Sequence, residues 1–288
     1  MIVLASWANK PFTLVVLGQS KNSGNEPSPV VVQKQQGDSG RTFTDWCRNK
    51  ADLSPEAKHI VEVLLQKAET TECDAANHKL SLLTELDLNG DLISDIKPLE
   101  SLTNLKELRL GNNQISDIKP LQSLTNLKLL ALNSNQVSDI KPLQSLTNLK
   151  LLALNYNQIS DIKPIQSLTN LKLLALNYNQ ISDIKPLQYL TKLTDLRLED
   201  NQISDIKPLQ YLTNLSSLFL THNQISDIKP LKFLSQLYQL FLGNNQISDI
   251  KPLASLSNLA YLSLGGNPIT PKVCSLKPEL ESICEWEP

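Results

Sequence analysis

The stretch LALNYNQISDIKP at residues 152–164 recurs letter for letter at residues 174–186, 22 residues further along. Aligned on its leucines, the same unit starts at Leu83 and returns every 22 residues as far as Leu259 without an insertion, in the form LxxLxLxxNxISDIKPLxxLTN. A fixed period of this length means one supersecondary unit stacked on itself, so the period, not the length, sets the architecture. Leucines at unit positions 4 and 6 alternate with variable residues, as in a short strand with one buried face. Asparagine at position 9, from Asn113 to Asn267, follows each strand where the chain must turn inward. A buried amide there can serve backbone groups of its own and adjacent coils that would be costly to leave unpaired. The first copy carries Asp91 instead. In the second half of the unit, apolar residues at positions 14, 17 and 20 lie three apart, and proline at 16 fixes φ and removes a donor. That spacing predicts a 3₁₀ turn in place of a long helix.

The coils run from 83 to about 270, eight full copies and a ninth that breaks down after Thr270. A solenoid exposes its core at both ends and needs caps. Residues 41–82 supply the first. After Ser54 and Pro55, which suit a helix start, Ala57, Ile60, Val61, Leu64, Leu65 and Ala68 form an apolar stripe at helical spacing. Residues 271–288 are expected to close the other end, since Pro271 and Pro278 break the pattern. Asp at position 13 and Lys at 15 read as a solvated outer face.

The unit, with its ISDIKPLxxLTNL signature across residues 83 to about 270, resembles the 22-residue leucine-rich repeats of internalin-type bacterial proteins. The resemblance implies an α/β repeat solenoid. It would be a right-handed horseshoe with a parallel sheet on the concave face, 3₁₀ turns on the convex side and a helical N-terminal cap. It also implies a protein-binding module that uses its concave face and is secreted or attached to the cell envelope. Two other roles fit the same unit: an intracellular scaffold, like repeat subunits that regulate phosphatases, and a structural component of an envelope.

The 27 basic and 29 acidic residues nearly cancel, which argues against a nucleic-acid binder. Cys47 and Cys73 lie near one end and Cys274 and Cys284 near the other, none in a CxxC. A rigid solenoid between them would allow only the two within-end bridges, given an oxidising compartment; buried thiols are the other reading. Residues 1–40 begin with two short apolar runs, a candidate signal or anchor, and continue into a Ser, Pro, Gly and Gln-rich tether. No stretch has the ~18 continuous apolar residues of a membrane span. His59, His78 and His222 share no metal-ligand spacing, and no nucleophile elbow, P-loop or HExxH occurs, so neither metal, cofactor nor catalysis is expected.

Information about a partner must then sit at positions 2, 3, 5, 7 and 8. Coils three to five place Lys128, Lys150 and Lys172 beside Leu129, Leu151 and Leu173, with Tyr156 and Tyr178 at position 8. Coil six returns to charge with Asp195, Arg197, Glu199 and Asp200, and coils seven to nine bring Phe219, His222, Tyr238, Phe241 and Tyr261. Exposed aromatics on a rigid sheet anchor protein partners because they bury much area at little cost in side-chain entropy. The candidate binding residues are Tyr156, Tyr178, Phe219, His222, Tyr238, Phe241, Tyr261, Leu151, Leu173 and Arg197. The expected partner is a protein with an extended or convex surface, bound by a monomer.

Overall fold

The computed structural model describes residues 40–270 and the two-residue strand 284–285. Each coil contributes one three-residue strand: β1 Glu85–Asp87, β2 Glu107–Arg109, β3 Leu129–Ala131, β4 Leu151–Ala153, β5 Leu173–Ala175, β6 Asp195–Arg197, β7 Ser217–Phe219, β8 Gln239–Phe241 and β9 Tyr261–Ser263. They form one open parallel sheet in sequence order, and β10 (Cys284–Glu285) adds to β9. Pairing is always between equivalent unit positions, for example Leu152 with Leu174. Every side chain at one position therefore stacks in a row across the sheet, and successive rows on one strand alternate between core and surface.

The core is a column of identical layers. In the fourth coil Leu149, Leu152, Leu154, Ile159, Ile162, Ile165 and Leu168 are all at most 1% exposed. Burial of each stabilises the fold by roughly 1.5–3 kcal/mol before entropy is counted. The expected 3₁₀ turns close each coil, from Lys97–Ser101 to Lys251–Ser255, with proline in the first turn. The asparagine ladder is also present. Asn179 accepts from the Ile159 amide of the preceding coil and donates to Leu154 and Leu176 carbonyls, spanning both coils with one amide.

The aspartate at position 13 does more than the solvated role expected of it. Asp161 Oδ1 accepts from the Lys163 amide at 2.8 Å, and the equivalent bond recurs in every coil from Asp95 to Asp249. It satisfies an amide at the start of the 3₁₀ turn, where no backbone partner is available.

The N-terminal cap consists of three helices, α1 (Phe43–Arg48), α2 (Pro55–Lys67) and α3 (Cys73–Ser81). Thr42 and Asp45 form a capping box on α1, and Ser54 Oγ accepts from Ala57 N on α2. Of the apolar stripe expected on α2, Ala57, Ile60, Val61, Leu64 and Ala68 are buried; Leu65 is half-buried, and Val63 joins the core. Helices α1 and α2 pack on the first 3₁₀ turn and so cover the first layer. His59 Nε2 lies 2.6 Å from the Asp91 carbonyl. A Cys47–Cys73 disulfide ties α1 to the start of α3 with a Cα separation of 5.6 Å. The Cys274–Cys284 pairing, the C-terminal cap apart from β10, and the candidate signal or anchor lie outside the described residues. Among those described, no helix is long and apolar enough to cross a membrane.

Candidate binding face

On each strand, positions 3 and 5 face out of the concave side. Register places Glu107, Leu129, Leu151, Leu173 and Asp195 in one row and Arg109, Ala131, Ala153, Ala175 and Arg197 in the next. The outcome is an apolar strip three strands wide, closed at both ends by the same device. Arg109 pairs with Glu107 at 2.8 Å within β2, and Arg197 pairs with Asp195 at 3.0 Å within β6. Leu151 and Leu173 are half-buried, while Ala153 and Ala175 are buried and form the floor.

One long edge of the strip is lined by position 2, where Lys106, Lys128, Lys150 and Lys172 stand on successive coils, all exposed. None of the four ammonium groups makes an ion pair or hydrogen bond to another described residue. Beyond the other edge stand Tyr156 and Tyr178, 53% and 44% exposed, their rings stacked with centroids 4.2 Å apart and planes 9° from parallel. The Tyr156 hydroxyl, and after it the Asp200 carboxylate, push the Tyr178 phenol up to about 12.

The backbone at these tyrosines is unusual. Position 8 lies in the left-handed region in the described coils throughout, because the chain turns there from strand to inner loop. Gly90, Asn112, Asp200, Asn244 and Gly266 suit that conformation, which glycine adopts freely and Asn and Asp tolerate. Tyr156 and Tyr178, at φ 56° and 55°, carry a β-carbon and a ring where both are unfavourable.

Position 7 is a correction to the set of free positions. Asn133, Asn155 and Asn177 form a second ladder, in which each Oδ1 accepts from the position-7 amide of the next coil at 2.8–3.0 Å. Asn177 also donates to Glu199, whose carboxyl burial raises above the usual glutamate value. These amides belong to the framework.

The remaining candidates form a separate group. Arg197 lies 5.0 Å over the Phe219 ring, and Phe219 stacks on Phe241 at 4.8 Å, so position 5 becomes a continuous column along β6, β7 and β8. Tyr238 and Tyr261 meet edge to face at 5.5 Å. His222 is exposed with Nδ1 3.7 Å from Asp200. Tyr189, Tyr211 and Phe233 are half-exposed on the convex side. They replace a serine that elsewhere donates to the preceding coil, as Ser167 does to Gln144.

Profiles described as leucine-rich repeats in two copies match residues 81–123, 103–145, 125–167, 147–189 and 191–233, and a further leucine-rich-repeat profile matches 213–269. The chain belongs to the leucine-rich repeat family. Among solved structures, this leucine-rich repeat protein is similar to internalin C2 from Listeria monocytogenes. Identity is 35% over 72% of this chain and 92% of the internalin, with a TM-score of 0.68. A leucine-rich repeat protein of Leptospira interrogans is 36% identical over 68% of this chain and 52% of its own, at a TM-score of 0.65. A plant peptide hormone receptor, RGFR1, solved in complex with RGF2, shares the fold at 24% identity and a TM-score of 0.59, covering 66% of this chain and 34% of the receptor. No curated protein matches significantly. The repeats are thus of the internalin-like type, as their sequence resemblance implies.

Proposed function

We propose that the chain is a non-catalytic recognition module, secreted or attached to the cell envelope, which holds a protein ligand on its concave face. One observation carries this reading: Tyr156 and Tyr178 occupy a left-handed backbone position that residues better suited to it fill in other coils, and their rings remain about half exposed. Strain of this kind persists where it serves a site, and exposed stacked tyrosines offer a large, rigid contact area. Leu151 and Leu173 would meet the ligand beside them. Arg197, Phe219 and Phe241 would extend the contact over later coils, with His222, Tyr238 and Tyr261 at its margin. The Cys47–Cys73 bridge suits an oxidising compartment, and the internalin-like relatives support the same placement.

The test is affinity capture from a surface-protein extract with the full chain, beside a variant carrying Tyr156→Asn, Tyr178→Asn, Phe219→Ser and Phe241→Ser, both shown by circular dichroism to be folded. The variant is expected to lose the proteins that the parent retains. Equal recovery by both would overturn the reading.

A further inference from the structure

The frame around the apolar strip restricts what can lie in it, and we infer that the occupant is an extended polypeptide segment whose apolar side chains cover the Leu and Ala rows while its carboxylates meet the lysine row. This rests on the concave-face reading above and adds the chemistry of the partner. Lys106, Lys128, Lys150 and Lys172 form a line of exposed cations with no described partner, and Arg109 and Arg197 stand at the two ends of the strip. The nearest acids in register, Glu107 and Asp195, are already engaged by those arginines. An unpaired cationic edge beside an apolar floor is complementary to alternating acidic and apolar groups.

The dimensions agree. Strands lie about 4.8 Å apart, so the line from Lys106 to Lys172 is roughly 14 Å long; an extended chain advances about 6.8 Å per same-side pair and presents three carboxylates over that length. A sulfated glycan or a nucleic-acid backbone would match the charge, but it has no aliphatic groups to cover Leu129, Leu151 and Leu173.

The experiment uses the full chain and three labelled synthetic peptides of about eight residues, alternating Glu-Leu, Gln-Leu and Lys-Leu, long enough at ~3.4 Å per residue to cross the strip. Binding is followed by fluorescence anisotropy, with heparin as a competitor. Three exposed charge pairs together carry about a tenfold preference, so the Glu-Leu peptide should bind about tenfold tighter than the Gln-Leu peptide at about 50 mM salt, and the gap should narrow at about 300 mM. In the variant with Lys106→Gln, Lys128→Gln, Lys150→Gln and Lys172→Gln the preference should vanish while Gln-Leu binding stays within about twofold. The ammonium groups make no ion pair or hydrogen bond to another described residue and the backbone bonds of these positions are unchanged by the substitutions, so the variant is expected to keep the fold, which circular dichroism checks.

Equal binding of Glu-Leu and Gln-Leu peptides by the parent, or a preference that survives the lysine variant, overturns the inference, as does no binding of the Glu-Leu peptide at all. Heparin that binds more tightly than the Glu-Leu peptide and displaces it also overturns the inference, in favour of a glycan. Each of these failures leaves the concave-face reading to be judged by capture on the aromatic variant, so the two fail separately.

Discussion

If Tyr156 and Tyr178 serve a ligand at the expense of their own backbone, replacing both with asparagine should stabilise the protein. Both residues lie in the left-handed region, at φ 56° and 55°. That conformation costs an ordinary L-residue roughly 1–2 kcal/mol, and asparagine much less. Relief of about 1 kcal/mol at each site gives about 2 kcal/mol. Against this stands the loss of the stacked pair at 4.2 Å, about 0.5–1.5 kcal/mol beyond area burial, for rings that are half in water. The expected balance is a gain of about 1 kcal/mol, a rise of roughly 2–4 °C in Tm for a domain of this size. Urea denaturation followed by far-ultraviolet circular dichroism measures it, with midpoints compared directly because stacked repeats need not unfold in one step. A double variant destabilised by more than about 1 kcal/mol would show that the rings hold the coils together. The strain would then have a structural cause, and the main support for a binding role would be gone.

Asn179→Ala removes an amide that serves Ile159 N and the Leu154 and Leu176 carbonyls, all buried, and should cost about 3 kcal/mol by the same denaturation. Asn214→Ala, which removes only an exposed bond to the Thr191 carbonyl, should cost under about 1 kcal/mol; equal losses would refute the ladder account. Replacing Cys47 and Cys73 with serine should cost up to about 3.5 kcal/mol for a loop of this length, in a transition seen by the buried Trp46 fluorescence before the sheet melts. Coincident, unshifted transitions would show that the bridge adds nothing.

The framework was readable because packing repeats itself in the chain. Leu152, Asn157 and Pro164 each have one neighbour geometry in every coil, so a 22-residue period reports their surroundings directly. Position 7 was not readable in this way. Asn155 looks like any polar surface residue until the Asn177 amide is seen within 2.8 Å of its side chain, and only coils one and three to five use the device among the described residues. The left-handed turn did leave a trace: Gly90, Asn112, Asp200, Asn244 and Gly266 share one column with the tyrosines. A column of residues that tolerate positive φ signals a backbone requirement, and a tyrosine within it marks a conflict between local preference and something else. The two strand triplets ELR (107–109) and DLR (195–197) likewise carried their ion pairs openly, since residues two apart on a strand share a face.

Near-identity of coils three to five weakens any argument from repetition alone, since copying one coil carries its tyrosine and its leucine along. It does not weaken the argument from strain, because each copy bears the cost again and the sheet gives neither ring a buried place. Phe219 and Phe241 contribute evidence of another kind. Their coils differ at most of the other free positions, yet the two rings stack in register. Arg197 joins these lines of evidence, ending the aliphatic strip through Asp195 and covering the first ring of the aromatic column at 5.0 Å. A ligand long enough to touch both halves of the face must therefore cross a guanidinium that already has a carboxylate partner. On the binding reading proposed above, that geometry favours a contact in two parts, apolar and acid-seeking over coils two to five and aromatic over coils seven and eight, with coil six as the hinge of specificity between them.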